Sequence, residues 1–306
     1  MMRIRVLGSS AGGGFPQWNC NCPNCDGLRR GTVMARARTQ SSIAVSANDL
    51  DWLLVNASPD ILTQIRDTPE LQPARSVRDS GIAAVLLMDA QIDHVTGLLM
   101  LRERASALPL LATPEVLTEL GKGFPITGIL SHYCGVAPHA LPTDGRSFTA
   151  PGLDGIGLQA VPLSSRPPPY SPFRGNPRPG DNIGLVLQNP SNGARVFYAP
   201  GLGEVTPELL DLMSSCAVVL VDGTFWTGDE MQRLGLSTKA AADMGHLPQS
   251  GPGGMLEQLA RLPVATRKLL IHINNTNPIL IEDSAERAAL TRLGIEVAHD
   301  GMDIHF

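Results

Sequence analysis

Apolar positions along the chain fall into short runs bounded by Gly, Pro, Asn, Asp or Ser, a pattern of buried strands rather than of long amphipathic helices. The runs "RIRVLG", "SSIAVS", "DWLLVNAS", "GIAAVLLM" and "LPLLAT" predict strands in the first part of the chain; "IGLQAVPL", "NIGLVLQ", "ARVFYA", "AVVLVDG", "KLLIHI" and "IEVAHD" predict more in the second. Helices are expected mostly between the later strands. In "TPEVLTELG" Thr113 can cap, Pro114 fills the first turn and Gly121 ends the helix; "TPELLDLM" repeats the start signal. "DSAERAALTRLG" offers Asp283 as N-cap with Glu286 three residues on. Two strand-rich halves, the second ending in helices, suit an α/β fold of two sheets packed together with helices outside, better than one doubly wound sheet. The chain of 306 residues can bury a full core, and a single domain over 1–306 is expected. The Pro-rich segment 164–182, "SSRPPPYSPFRGNPRPGDN", cannot continue a helix or a central strand. Flanked by strands, it is expected to be an ordered excursion.

Composition narrows the partner. With 43% hydrophobic and 17% charged residues the chain reads as an ordinary soluble protein, and 31 Gly with 25 Pro imply many tight loops. A net charge of -5 without a basic stripe argues against nucleic acid and for a small molecule. The longest apolar runs fall far short of the ~20 residues of a spanning helix. The start, "MMRIRVLGSSAGGG", carries no extended apolar leader, so a cytoplasmic location is expected, with the five cysteines mostly reduced. "LGSSAGGGF" is not a nucleotide loop: Gly14 stands where a P-loop needs Lys, and Gln17 where G-x-G-x-x-G needs Gly. Gly12 to Gly14 are then a flexible or close-packed loop.

"NCNCPNC" sets Cys20, Cys22 and Cys25 in a turn-forming context, where three sulfurs can converge on one tetrahedral ion. Such a closed site predicts structural zinc, with Asn275, His299 or His305 as fourth ligand. The alternative is a redox dithiol of Cys22 and Cys25; the third thiol and the lack of a helix N-terminus count against it. Cys134 and Cys216 read as small core residues. Elsewhere, "VVLVDGTFW" puts Asp222 at a strand end, and "AADMGHLP" puts His246 in a loop, as a general acid or base or as a surface histidine. Arg166, Arg174 and Arg178 could clamp substrate carboxylates or be solvated surface charges.

The run "GIAAVLLM" ends in "DAQIDHVTGLL", with Asp89, Asp93 and His94 beside a core, which is costly unless they are paired or bind metal. Asp89, Gln91, Asp93 and His94 resemble the H-x-H-x-D-H signature of the metallo-β-lactamase superfamily with both leading histidines replaced. In that superfamily the first two histidines serve one metal and the Asp-His pair the second. The resemblance therefore implies that the first metal is lost and the second kept. "FYAPGLG" likewise has Gly201 where the superfamily carries a bridging Asp. Asp93 and His94 then need one more imidazole, and His272, at the end of the run "KLLIHI", is placed to supply it. Two histidines and a carboxylate with open positions form the facial set of non-heme Fe(II) oxygenases. Taken singly, Asp93 could instead orient His94, and His272 could be a core histidine.

The chain as a whole resembles the B family of pyrroloquinoline quinone (PQQ) biosynthesis proteins. "LGSSAGGGFPQWNCNCPNC", "DAQIDHVTGLL", "PPPYSP" with "PGDNIGL", "VDGTFW", "DMGHLPQSG" and "HINNTNPIL" come in that family's order. The resemblance implies a metallo-β-lactamase αβ/βα four-layer sandwich, a structural Zn2+ on Cys20, Cys22 and Cys25, and Fe2+ or another divalent ion on Asp93, His94 and His272. It implies iron-dependent, O2-using hydroxylation of the tyrosine ring of a Glu-Tyr-derived precursor. The alternatives are a carrier of PQQ or its precursor toward the periplasm, and a metal-dependent hydrolase. Asp89, Asp222 and His246 would serve catalysis, and the three arginines the substrate. A second copy of the chain, in a homodimer, is a further candidate partner.

Overall fold

Every apolar run read as a strand forms one in the computed structural model, which describes residues 2–189 and 191–306. The chain falls into two units, one taking the stretch up to Gly8 with Ser41–Ala194 and Gly301–Phe306, the other Ser9–Gln40 with Arg195–Asp300. Among the described residues no helix is long and apolar enough to cross a membrane.

The first unit contains, in chain order, β1 (Arg3–Gly8), β2 (Ser42–Ser46), β3 (Trp52–Val55), β4 (Ile82–Leu86), β5 (Leu108–Ala112) and β6 (Val136–Ala140). They pair in that order, with the last strand of the chain, β13 (Asp303–His305), on the outer side of β1. Pairing is antiparallel as far as β3 and parallel from β3 onward. The near-continuous apolar "IAAVL" of β4 follows from its place between two parallel neighbours, where both faces are covered. Val85, Leu110, Val116, Leu120 and Ile126 pack in one core beneath the helices Pro114–Lys122 and Ile126–Leu130. A hairpin of β7 (Gly157–Pro162) and β8 (Ile183–Gln188) completes this unit, and the Ile183 N–H donates to the Met88 carbonyl, 3.0 Å. The second unit holds β9 (Arg195–Ala199), β10 (Val218–Asp222), β11 (Arg267–Ile271) and β12 (Ile295–Val297), all parallel. Asp222 lies beside Ile271 at the carboxyl ends of β10 and β11, the edge where α/β sheets present their functional groups.

Several local expectations change. Strands β6 and β13 were not anticipated: β6, "VAPHA", is largely exposed and contains Pro, as an edge strand tolerates, and β13 has three residues. Beyond the expected helix at Pro114, Pro23–Arg30 and Ile61–Arg66 also form early. Thr113 does cap its helix, accepting from the Val116 N–H, but the helix passes Gly121 and ends at Lys122, with Gly123 as its C-cap. Ser284, not Asp283, caps the last helix, with its hydroxyl accepting from Arg287 N–H at 3.0 Å. Segment 164–182 is ordered, and Ser171 donates to the buried Glu119, 2.7 Å.

Arg3 and Arg5 share one face of β1, two residues apart, and both reach Asp303 on β13, at 3.0 and 2.6 Å, and Glu70, at 2.8 and 3.1 Å. Burial alone would raise the Asp303 pKa; the bonds from Arg5 and Arg3 outweigh it and hold it down to about 2. A carboxylate depressed on folding stabilises above its unfolded pKa of about 4, and that stability is lost as pH falls toward the folded value. Asp303→Asn should therefore cost ~1–2 kcal/mol at pH 7. In urea melts at stepped pH, the gap from the wild type should close between about pH 4 and about 2. A gap independent of pH would show that the ion pair is not its source.

Candidate metal centres

Cys20 and Cys22 precede the helix Pro23–Arg30 and Cys25 lies in its first turn, so the cysteine segment does abut a helix N-terminus, contrary to the turn expected from sequence. Pro23 at the first helical position starts the helix, and Gly31, left-handed at φ 68°, stops it. The three buried sulfurs all lie within 4.8 Å of one another. The Asn275 side-chain nitrogen stands 3.1, 3.6 and 3.4 Å from Cys20, Cys22 and Cys25 Sγ. An amide presents nitrogen or oxygen from the same place, so of the three candidates Asn275 is the one that meets all three sulfurs. His299 instead contacts the Asp300 carbonyl, 3.0 Å, and His305 lies in β13. Burial pushes the Cys22 thiol up to about 12; at Cys20 burial is outweighed by the Cys22 N–H and the neighbouring thiols, which lower it. Three buried thiols facing one amide fit a thiophilic divalent ion such as zinc. In the preceding loop Gly12 and Gly13 are exposed, and Gly13 takes a left-handed φ of 95°.

In the first unit, β4 delivers the chain to Asp89, whose Oδ1 accepts from the Gln91 N–H and from His94 Nδ1, both at 2.8 Å. Asp89 is thus the carboxylate that orients His94; Asp93 Oδ2 stands 3.9 Å from His94 Nε2. A carboxylate accepting from Nδ1 puts the ring's lone pair on Nε2, the nitrogen that could hold a metal. Burial would lower the His94 pKa, but the charges of Asp89 and Asp93 and the Asp89 bond push it up to about 9. Gly97 follows because a Cβ there would lie 2.2 Å from the Ser58 carbonyl, while its N–H bonds Ala57. Tyr170 bonds the Ala90 carbonyl.

In the second unit, Asp222 ends β10 fully buried, with Oδ1 accepting from Thr224 N–H and Oδ2 from Leu202 N–H, both at 2.8 Å, and from His246 Nδ1 at 2.5 Å. Burial would raise its pKa; the His246 charge and hydrogen bond prevail and hold it low. His272 directly follows β11 in a left-handed conformation, φ 59°, rare for a residue with a Cβ and typical of functional positions. The rings of His246 and His272 stack 5.5 Å apart, and Phe225 meets His246 edge-on. Ligand atoms of Asp222, His246 and His272 lie within 4.8 Å of one another, with Thr224 hydrogen-bonded among them.

The arginines divide. Arg178 is held by Asp181 at 2.7 Å and Glu119 at 3.2 Å, with its guanidinium 4.1 Å over the Phe173 ring, so it pins the Pro-rich segment. Arg174 bonds the Pro167 carbonyl, and Arg166 is exposed. Cys216 is buried as expected, whereas Cys134 is only half-buried. Thr224 was missed; its one signal is a hydroxyl two residues beyond a strand-end Asp.

Residues 51–273 match the family model described as a beta-lactamase superfamily domain. The chain is 66% identical over 304 residues to Coenzyme PQQ synthesis protein B of Cupriavidus necator, covering 99% of each chain. It is 62% identical over 301 residues to the protein of that name from Azoarcus sp. strain BH72, covering 98% of this chain and 99% of the other. Among solved structures it is similar to zinc-bound PqqB from Methylobacterium extorquens, at 36% identity and a TM-score of 0.90, covering 99% of this chain and 100% of that one. A diphosphatase of the PhnP family, 16% identical with a TM-score of 0.68, shares the fold over 100% of this chain and 97% of its own.

Proposed function

The chain belongs to the coenzyme PQQ synthesis protein B family and has the metallo-β-lactamase fold, and from that premise we propose that it is an iron-dependent oxygenase of PQQ synthesis. In this reading Asp93, His94 and His272 hold Fe2+, while Cys20, Cys22, Cys25 and Asn275 hold a structural Zn2+. The substrate is a Glu-Tyr-derived precursor whose tyrosine ring gains a hydroxyl. Bound iron supplies O2 activation. The His246–Asp222 pair holds a proton at the imidazole, positioned by the 2.5 Å bond, for transfer to or from the ring oxygen.

The observation that carries the reading is the fate of Asp89. It stands where hydrolytic members of the superfamily place a histidine of the first metal, yet its Oδ1 is committed to Gln91 N–H and His94 Nδ1. A ligand position has become an orienting one, which favours one open-site metal and disfavours a dinuclear hydrolase.

The test is anaerobic loading with Fe2+, followed by labelled O2, a two-electron reductant and the precursor. One labelled oxygen should enter the ring, the other leaving as water. His94→Ala and His272→Ala should each lose iron and keep zinc. Turnover without O2 would instead assign a hydrolase, and tight PQQ binding without turnover at full iron occupancy a carrier.

A further inference from the structure

We propose that Thr224 is a positioning residue: its hydroxyl fixes the tautomer and the backbone of His272, so that the imidazole enters the metal site with Nε2 as its lone-pair nitrogen. The proposal rests on the reading of His272 as a ligand. Thr224 is almost wholly buried, and its Oγ1 lies 2.9 Å from His272 Nδ1, 2.9 Å from the His272 carbonyl oxygen and 3.1 Å from His246 Nδ1.

Counting hydrogens leaves one arrangement. A threonine hydroxyl has one hydrogen to donate and two lone pairs to accept with. Both oxygens of Asp222 already accept backbone N–H groups, so Asp222 meets His246 Nδ1 as an acceptor and that nitrogen carries a hydrogen. His246 therefore offers Thr224 no lone pair. The His272 carbonyl offers only lone pairs, so the hydroxyl hydrogen goes there. Oγ1 is then left to accept, and His272 Nδ1, at 2.9 Å, must donate. The opposite tautomer would set two lone pairs against each other in a buried site or turn the hydroxyl hydrogen away from the carbonyl it reaches at 2.9 Å. By bonding both the ring and the carbonyl of one residue, Thr224 also braces the left-handed backbone at His272. His94 reaches the same tautomer through the Asp89 carboxylate.

The test uses full-length protein carrying its cysteine-site zinc, with added Zn2+ as the probe of the second site. Thr224→Val keeps the shape and removes the hydroxyl; Thr224→Ser restores it. Outer-shell partners of this kind are worth about 10–100-fold in metal affinity. Chelator competition should show that loss in Thr224→Val, and recovery to within about threefold in Thr224→Ser. Nitrogen-15 ring spectra of protein without the second metal should show Nδ1–H at His272 in the wild type and Thr224→Ser, and not in Thr224→Val. A Thr224→Val protein with wild-type tautomer and affinity, or a serine variant no better than valine, overturns the proposal. His272→Ala separates the two readings. If it leaves second-site affinity unchanged the ligand assignment fails, and the ring spectra still decide whether Thr224 sets the tautomer.

Discussion

Cys25→Ser should yield a chain with one zinc fewer and a melting temperature far below the wild type, or one that accumulates only as insoluble protein. Cys25 is fully buried beside Cys20 and Cys22, and burial pushes the Cys22 thiol up, so thiolates in this cluster need a partner charge. A divalent ion reverses that cost by taking the thiolates as ligands, and its binding energy becomes folding energy. In small zinc peptides that energy is about 10–16 kcal/mol, so even a fraction of it rivals the net stability of a typical domain. The effect extends beyond the cysteines. Asn24, between Cys22 and Cys25, donates to the carbonyls of Asn275 and Asn277, at 3.1 and 3.0 Å, and so ties the cysteine segment to the segment that begins at His272. Affinity for the second metal should fall with the first. Metal analysis beside calorimetry decides the matter: a Cys25→Ser protein that keeps its zinc and its melting temperature would leave the cysteines without a structural role.

The strands that carry the sites were readable because central parallel strands are apolar on both faces, as in "IAAVL" and "VVLVD", and because charged residues stand at their ends. What could not be read were features that depend on which partner arrives from elsewhere. Strand β13 is three residues, "DIH", and exists by pairing with β1; nothing local distinguishes it from a tail. Asp89 and Asp93 are equivalent in composition, and only the turn through Gln91 decides that Asp89 reaches His94 Nδ1. Arg178 looked available because Glu119, one of its partners, lies 59 residues away on a helix. Thr224 follows a strand as an unremarkable polar residue, and its value appears only when His246 and His272 close around it. The helix at Cys25 was legible after all, since Pro23 is a first-turn signal, but the cysteine spacing suggested a turn.

Asp222→Asn should lower turnover of the PQQ precursor by about 10²–10⁴-fold while both metals stay bound. The buried carboxylate accepts three N–H groups, from Thr224, Leu202 and His246. Asparagine keeps one oxygen, and its amide nitrogen must face either the Thr224 N–H or the Leu202 and His246 pair, a donor against a donor in either rotation. The backbone N–H groups cannot give way, so the imidazole does. His246 moves its hydrogen to Nε2, the nitrogen that exchanges a proton with substrate in the proposed reading, and loses the neighbouring carboxylate charge that would make it a competent base. Leaving buried donors imperfectly paired should also cost ~2–4 kcal/mol of stability, which thermal melts would register separately from turnover. Thr224 still reaches both the ring and the carbonyl of His272, so both metals should stay bound. If Asp222→Asn kept turnover within about threefold of the wild type, His246 would have no proton-transfer role. If it lost its iron instead, Asp222 would belong to the metal's ligand set and the division of labour between the two stacked imidazoles would be wrong.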